Sequence, residues 1–277
     1  MTAAPVRWPA EAIWEAVSPR LPGFSVEILP EIDSTSTELM RRARAGQADP
    51  VLLVAEQQTA GRGRLGRTWH GAAGASLTFS LGLPLAPAAG WAGLSLAVGV
   101  AVAEGLQPRP AAGAPRIGLK WPNDLWVCGP AGDRKLGGIL VETASLAGGA
   151  DPAAQRYAVV GVGVNAQPSS TVGEELRTPA ASLQEIDAGL DASAALLRVA
   201  APLVQAVLAF GQFGFGPFCE RFAARDVLRD RTVTLSDGRG GTCHGVGNDG
   251  ALLVHTPEGM VEVTSAEVSV RPAAAAR

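Results

Sequence analysis

The sequence predicts an α+β protein with one large domain and a small C-terminal β-barrel. Its 277 residues, 47% of them hydrophobic, suffice for a full core and favour one large domain plus a smaller one. Up to about residue 224, segments with helical periodicity are interspersed with short apolar strands. From about Arg229, short strands separated by glycine-rich turns remain, which is typical of a small closed barrel. We place the domains at 1–226 and 227–272 and expect a disordered tail at 273–277.

The elements follow from apolar spacing and from turn residues. Helices are predicted at 8–17, 36–46, 88–106, 192–211 and 216–224, and Thr35 and Glu38 match a capping box that starts the second. Strands of the large domain are predicted at 51–55, 77–83, 116–121, 125–128, 137–143 and 157–164. Those of the barrel are predicted at 232–235, 252–254, 261–263 and 268–270, with a hairpin at the Asn248-Asp-Gly turn. Composition predicts loops at 147–152 and 167–179.

Charge and cysteine content exclude several classes of protein. The net charge of −3 argues against a general affinity for nucleic acid or acidic membranes. No uninterrupted apolar run reaches membrane length, and the first residues lack the features of a secretory signal. Three distant cysteines fit neither a disulfide framework nor a structural zinc site. We therefore expect a cytoplasmic protein that binds neither DNA nor membrane, with too little chain before residue 25 for an N-terminal DNA-reading domain.

Lysine is almost absent, since the chain has 21 Arg and only two Lys, Lys120 and Lys135. Where arginine has replaced lysine nearly everywhere, the remaining lysines are expected to need a compact ammonium. Lys120 begins K-W-P-N-D, whose cation, amide and carboxylate (Asp124) suit phosphate, metal-bridged phosphate or activation of an amine. A capped Pro-Asn-Asp turn explains that segment alone equally well, and Trp121 is assigned to core packing. Lys135 precedes Gly137-Gly138 at a strand mouth, where a cation can reach a substrate carboxylate.

The loop G-R-G-R-L-G-R-T-W at 61–69 is the strongest single signal. Its glycines can expose backbone amides to an anion, and Arg62, Arg64 and Arg67 add bidentate donors for carboxylate or phosphate. Trp69 offers a flat face for a heterocycle. Arg-Gly segments that bind nucleic acid are the alternative, but they are longer and repetitive, whereas this loop lies between two strands. Gly161-x-Gly163 matches the dinucleotide fingerprint only weakly because a loop follows it, and Glu142 is predicted to be a strand-end surface residue.

Five motifs, taken in chain order, resemble those of biotin protein ligases. They are D-S-T-S at 33–36, Q-T-A-G-R-G-R-L-G-R-T-W at 58–69, K-W-P-N-D at 120–124, K-L-G-G-I-L-V-E at 135–142 and G-V-G-V-N at 161–165. The resemblance covers roughly residues 25–270. It implies a mixed-sheet catalytic domain of the biotin/lipoate ligase type with an SH3-like C-terminal barrel, in the monofunctional form without a DNA-binding domain. It also implies that ATP and biotin form biotinyl-5′-adenylate, with magnesium (Mg2+) bridging the phosphates, and that biotin passes to one lysine of the biotin carboxyl carrier domain of a carboxylase.

The resemblance implies a role for each matching residue. Biotin contacts fall on Ser34, Thr35, Ser36, Gln58, Gly61, Arg62, Gly63, Arg64, Lys135 and Gly138. Nucleotide contacts fall on Arg64, Arg67, Trp69, Lys120, Asp124 and Asn165. The catalytic residues are Arg64, Lys120, Asp124 and Lys135, and no residue is assigned as a metal ligand. The segment after Asn165 lacks the tryptophan often found there, which leaves the adenine pocket open.

Three alternative functions remain open from the sequence. A lipoate ligase uses the same two-step adenylation, but the arginine-rich loop and K-W-P-N-D favour biotin. A non-catalytic module that senses nucleic acid or adenylate predicts salt-dependent polynucleotide binding, against which the acidic balance counts. A dinucleotide oxidoreductase is the third.

Overall fold

A computed structural model describes residues 6–146, 155–168, 179–236, 238–264 and 270–272. The expected loop at 147–152, most of the expected loop at 167–179 and the expected disordered tail at 273–277 lie outside the described residues.

The secondary structure consists of five α-helices and twelve strands in this part of the chain. The helices are α1 (Ala10–Val17), α2 (Thr35–Arg44), α3 (Leu94–Leu106), α4 (Ala192–Phe213) and α5 (Cys219–Ala223). The first seven strands are β1 (Ser25–Ile32), β2 (Val51–Gln58), β3 (Ser76–Leu85), β4 (Arg116–Lys120), β5 (Asp124–Cys128), β6 (Arg134–Ser145) and β7 (Arg156–Asn165). The last five are β8 (Thr232–Leu235), β9 (Gly240–Val246), β10 (Leu252–Thr256), β11 (Gly259–Val263) and β12 (Val270–Pro272).

The strands form two sheets. The first has seven strands in the order β1-β2-β3-β7-β6-β5-β4, and it is mixed because β1 and β2 are parallel while the other pairs are antiparallel. The second has five antiparallel strands in the order β11-β10-β9-β8-β12. The predicted α+β class with a small C-terminal sheet is therefore confirmed. Closure of that sheet into a barrel and the domain division at 226/227 stay predictions.

The large sheet has two chemically different faces, because successive side chains along a strand point to opposite sides. One face is aliphatic and is buried against α3 and α4. In β3 and β7 it presents Leu77, Phe79, Leu81, Leu83, Val160, Val162 and Val164. Full burial of each such side chain stabilises the fold by about 1.5–3 kcal/mol.

The opposite face is small and polar beside and beneath the first turn of α2. Strand pairing places Thr78, Ser80, Gly138, Gly161 and Gly163 there, a set that we call the glycine face. Helix α2 covers the neighbouring part of this side of the sheet, where Leu39 and Met40 pack with Leu53 and Val159. A shelf of small residues thus lies on the sheet, at the start of a helix.

Three differences from the predicted elements have local causes. Strand β1 was not predicted because its acidic residues and Pro30 interrupt the apolar pattern expected of a strand. It lies at the edge of the sheet, where it pairs in parallel with β2. Strand β9 was not predicted because glycines weaken its strand signal. Helix α3 starts at Leu94 rather than at residue 88, since Gly90 and Gly93 adopt positive φ angles of 81° and 83°.

Helix α4 is, in the described part of the chain, the one helix long and apolar enough to cross a membrane by length and composition. Half of its most apolar window is buried, and it packs on α1 and α3. Core helices of globular proteins commonly pass the same test.

The second sheet contacts the connection that carries K-W-P-N-D. The backbone N–H of Leu119 donates to Arg225 O at 2.7 Å, and Val227 N–H donates to Leu119 O at 2.9 Å, so the entering chain runs along β4. Trp121 is fully buried, as predicted, and its Nε1 donates to Gly250 O at 3.1 Å, beside the predicted β9–β10 hairpin turn. The turn between β4 and β5 is therefore held in place by the large sheet and by contacts with the C-terminal part of the chain.

Candidate active site

The loop at 61–69, which we call the Gly-Arg loop, is folded as a short hairpin. Trp69 N–H donates to Gly61 O at 2.9 Å, and Gly63 N–H donates to Arg67 O at 2.7 Å. Leu65 forms the tip with a φ of 56° and is exposed. A Cβ on Gly61 would lie 2.5 Å from Trp69 O, so glycine is required at the base. Such a short, folded hairpin differs from the longer, repetitive Arg-Gly segments that bind nucleic acid.

Three cations from three separate stretches meet around Asp124. Lys135 Nζ lies 2.8 Å from Asp124 Oδ1. Lys120 lies directly opposite Asp124 in the β4–β5 pair. Arg64 Nη1 donates to Asn123 Oδ1 at 3.3 Å, one residue before Asp124. We call these residues the Asp124 cluster.

The electrostatics of the Asp124 cluster favour an anion. Burial lowers the pKa of the Arg64 guanidinium, and the charge of Asp124 opposes that effect. Lys120 is 9% exposed, and its ammonium lies 5.5 Å from the centre of the Trp126 ring. Because three cations lie around one carboxylate, the cluster retains positive charge in a partly desolvated place, where electrostatic attraction is stronger than in water.

A second group of polar side chains lies at the start of α2. Ser34 Oγ accepts from Thr37 N–H at 3.4 Å, so Ser34 is the N-cap and the predicted capping box at Thr35 is wrong. Glu38 instead pairs with arginines of the same helix. Thr35 donates its N–H to Gln58 Oε1 at 2.8 Å, and its hydroxyl lies 2.7 Å from Ser80 Oγ.

The same hydroxyl network includes Ser36, whose Oγ lies 3.0 Å from Ser80 Oγ. A Cβ on Gly161 would overlap Ser36 Oγ, so this glycine leaves room for the network. The structure therefore joins Ser34, Thr35, Ser36 and Gln58, all predicted for biotin, into one donor–acceptor patch beside the glycine face.

Trp69 lies flat on the glycine face. A Cβ on Gly163 would lie 2.6, 2.7 and 3.0 Å from three atoms of its indole ring. The indole Nε1 is buried without a hydrogen-bond partner among the described residues. Trp69 thus closes one side of the shelf.

The two glycines of the G-G pair have different surroundings. A Cβ on Gly138 would meet Asp124 Oδ1 at 3.6 Å and Lys135 Nζ at 3.7 Å, so this position lies beside the Asp124 cluster with ordinary space. A Cβ on Gly137 would overlap the backbone oxygen of Gly163 on the other side of the strand. Only Gly138 faces the site, and Gly137 is needed for strand packing.

The remaining nucleotide candidates flank the shelf. Asn165 ends β7, and its Nδ2 donates to Ala181 O at 3.0 Å. The backbone of Lys135 also binds that segment, since Ala181 N–H donates to Lys135 O at 2.8 Å. Arg67 is exposed, yet its charge contributes to lowering the pKa of Arg64. Asn165 and Arg67 therefore border the site without joining the Asp124 cluster.

Arg62 is not brought to the Asp124 cluster. Its guanidinium forms an ion pair with Glu142, which lies within β6 rather than at a strand end. The prediction of a strand-end surface position for Glu142 is therefore wrong, and its carboxylate is half-buried and paired.

Sequence reasoning did not assign Asn123, Ser80 or Gly163 to the site. A signal for Ser80 was available, because Ser76, Thr78 and Ser80 alternate with the apolar residues of β3. Asparagine is nearly as rare here as lysine, and Asn123 binds both Arg64 and, through Nδ2, Ile139 O at 2.8 Å. The place of Gly163 under an indole ring depends on a contact between distant strands and loops.

Comparison with known proteins identifies the family of this chain. Residues 28–165 match the Biotin/lipoate A/B protein ligase family. The chain is 36% identical over 267 residues to the bifunctional ligase/repressor BirA of Salmonella typhimurium, covering 94% of this chain and 78% of that protein. It is 32% identical over 252 residues to a biotin–[acetyl-CoA-carboxylase] ligase of Paracoccus denitrificans, covering 87% and 98%. The structure of the Aquifex aeolicus biotin protein ligase in complex with biotin and ATP superposes with a TM-score of 0.71 at 28% identity, covering 89% and 98%. This chain belongs to the Biotin/lipoate A/B protein ligase family.

Proposed function

We propose that this protein is a biotin–[biotin carboxyl carrier protein] ligase. It activates biotin as biotinyl-5′-adenylate with ATP and transfers biotin to one lysine of a carrier domain of a carboxylase. The observation that carries the proposal is the meeting of Arg64, Lys120 and Lys135 around Asp124, beside the glycine face. The names of the two ligase relatives and the biotin–ATP complex support biotin over lipoate.

In the first step a carboxylate oxygen of biotin attacks the α-phosphorus of ATP. The new bond joins that oxygen to phosphorus, and the bond to pyrophosphate breaks. Both reactants are anions, so their approach is opposed by charge repulsion. Arg64, Lys120 and Lys135 offset this repulsion and stabilise the extra charge on the pentavalent phosphorus.

The ring end of biotin is assigned to the hydroxyl patch at the start of α2. A urea-like ring offers N–H donors and a carbonyl acceptor, which match the oxygens and amide of Ser34, Thr35, Ser36 and Gln58. The glycine face below has room for the apolar part of the ligand, with Gly138 towards the carboxylate end.

The nucleotide is assigned to the side where Trp69, Arg67 and Asn165 border the site. ATP would enter as its magnesium complex, in which Mg2+ would offset part of the phosphate charge. Among the described residues there is no group of three or more His, Cys, Asp or Glu side chains suited to a metal.

In the second step the amine of the acceptor lysine attacks the acyl carbon of the adenylate. An amide bond forms, the acyl–phosphate bond breaks and AMP leaves. Asp124 is the group placed to orient that lysine or to take its proton, because its carboxylate already holds an ammonium at 2.8 Å. The Gly-Arg loop excludes water from the adenylate until the acceptor arrives.

Two further parts of the proposal concern partners and location. The protein acts as a ligase without binding DNA, which the net charge of −3 supports. It works in the cytoplasm, where its three free cysteines fit a reducing environment.

The test measures pyrophosphate released from ATP with biotin or lipoate, in the wild type and in Lys135→Ala. Biotin is expected to support release and lipoate is not, and Lys135→Ala is expected to lose most of the activity. Arg198→Ala serves as the control because that exposed arginine pairs with Asp187 away from the site. Near-normal release by Lys135→Ala would refute the role of the cluster, and release with lipoate alone would refute the choice of substrate.

A further inference from the structure

We propose that Glu142 is a positioning residue that latches the Gly-Arg loop over the glycine face through Arg62. Glu142 was assigned no role in the reaction above. The consequence for catalysis rests on the proposed function, whereas the latch itself is a property of the free protein.

The Gly-Arg loop is attached to the sheet at two separate points. Arg62 reaches Glu142 in β6, and Arg64 reaches Asn123 between β4 and β5. Asn123 is itself held beside Ile139 of β6, because Ile139 N–H donates to Asn123 O at 2.9 Å. Glu142 lies three positions after Ile139 in β6, which is roughly 10 Å along a strand. A hairpin held at one point can swing, but one held at two such points has a fixed orientation.

Strand alternation directs Glu142 to the side of the sheet that the loop covers. In β6, Gly138, Leu140 and Glu142 share a face, and pairing places Gly138 opposite Gly163 under Trp69. Glu142 Oε2 is buried and has no hydrogen-bond partner among the described residues. A half-buried carboxylate needs compensation, and the Arg62 guanidinium supplies it through Oε1.

The latch acts on both arms of the hairpin. Arg62 forms a β-bridge with Thr68, so fixing its side chain also restrains the returning arm that leads to Trp69. Loss of the latch is therefore expected to free the loop base without removing Arg64, Lys135 or Asp124. The expected consequence is faster escape of the adenylate, because a loop that opens more often exposes it to water.

Trypsin provides a test that needs no ligand, since it cleaves after arginine and Arg64 and Arg67 are in the loop. Glu142→Gln removes the charge at constant size, and Glu142→Asp keeps the charge on a shorter arm. Glu104→Gln is the matched control, because it breaks an ion pair of similar exposure with Arg221 outside the site. Cleavage within 61–69 is identified by fragment mass and is expected to be about three- to fivefold faster in Glu142→Gln than in the wild type. This factor corresponds to the free energy lost with a half-exposed ion pair. Glu142→Asp is expected to recover part of the protection.

The second readout is the rate at which bound biotinyl-adenylate is released, which should rise in Glu142→Gln while the melting temperature stays that of the wild type. Equal loop cleavage in Glu142→Gln, Glu104→Gln and wild type would overturn the latch. Faster cleavage without faster release would overturn its role in retention. If the wild type makes no biotinyl-adenylate at all, the proposed function fails instead, and the cleavage result still decides the latch.

Discussion

Gly163→Ala tests whether the glycine face exists to receive the Trp69 ring. The added methyl group would lie 2.6, 2.7 and 3.0 Å from three indole atoms, where ordinary contacts are 3.4–4 Å. The ring must move by roughly 1 Å to relieve this overlap, and it is held by the base of the Gly-Arg loop. Such overpacking costs about 1–3 kcal/mol, and a chain of this size loses about 2–4 °C in melting temperature for each kcal/mol.

Gly138→Ala is the matched control on the same face of the sheet. Its methyl group would have neighbours no closer than 3.6 Å, so its stability is expected to change by less than about 0.5 kcal/mol. Thermal unfolding of both variants gives the comparison. Titration with ATP then reports whether displacement of Trp69 weakens the nucleotide side, as its assignment there predicts.

The expected result is a lower melting temperature and weaker ATP binding in Gly163→Ala. In Gly138→Ala the melting temperature should stay near the wild-type value, with any loss seen for biotin. If Gly163→Ala has the melting temperature of the wild type and binds ATP with the same affinity, Trp69 does not pack on that glycine in solution. Our account of the shelf would then be wrong.

The remaining predictions concern one loop residue, one strand glycine and one buried acid. Arg64→Gly is expected to keep the wild-type melting temperature but to release biotinyl-adenylate before transfer, and unchanged retention of the intermediate would contradict its role. Gly137→Ala is expected to lose about 3 kcal/mol or more in urea unfolding, because its methyl group would overlap backbone, and a loss below about 1 kcal/mol would count against this. Burial raises the pKa of Asp226 from 3.8 to about 6, so the folded state holds this proton more tightly than the unfolded chain and stability falls as pH rises between those values. The wild type loses roughly 3 kcal/mol of stability in this way, and the loss is complete above about pH 6. Asp226→Asn should therefore be more stable than wild type above about pH 6 and equally stable below about pH 4. Parallel pH–stability curves for the two proteins would refute the assignment.

Much of the site could be predicted because its chemistry is concentrated in short motifs. The rarity of lysine singled out Lys120 and Lys135, and the structure places both at Asp124. Alternation in β3 predicted a strand with one covered face, and the strand is present, but both of its faces are buried because Ser76, Thr78 and Ser80 are covered as well. Arg62 shows the limit of such reasoning, because adjacent arginines of one loop reach different partners that only the packing of the loop decides.

The sequence by itself determined the α+β class, the small C-terminal sheet and the segments that carry charge, since periodicity and residue type are local properties. Only the tertiary structure decided which cations share a carboxylate, which glycine faces the site and which one packs a strand. Those facts depend on strand order and register, which bring residues far apart in the chain into contact, and no local pattern encodes the register of strands paired across such distances.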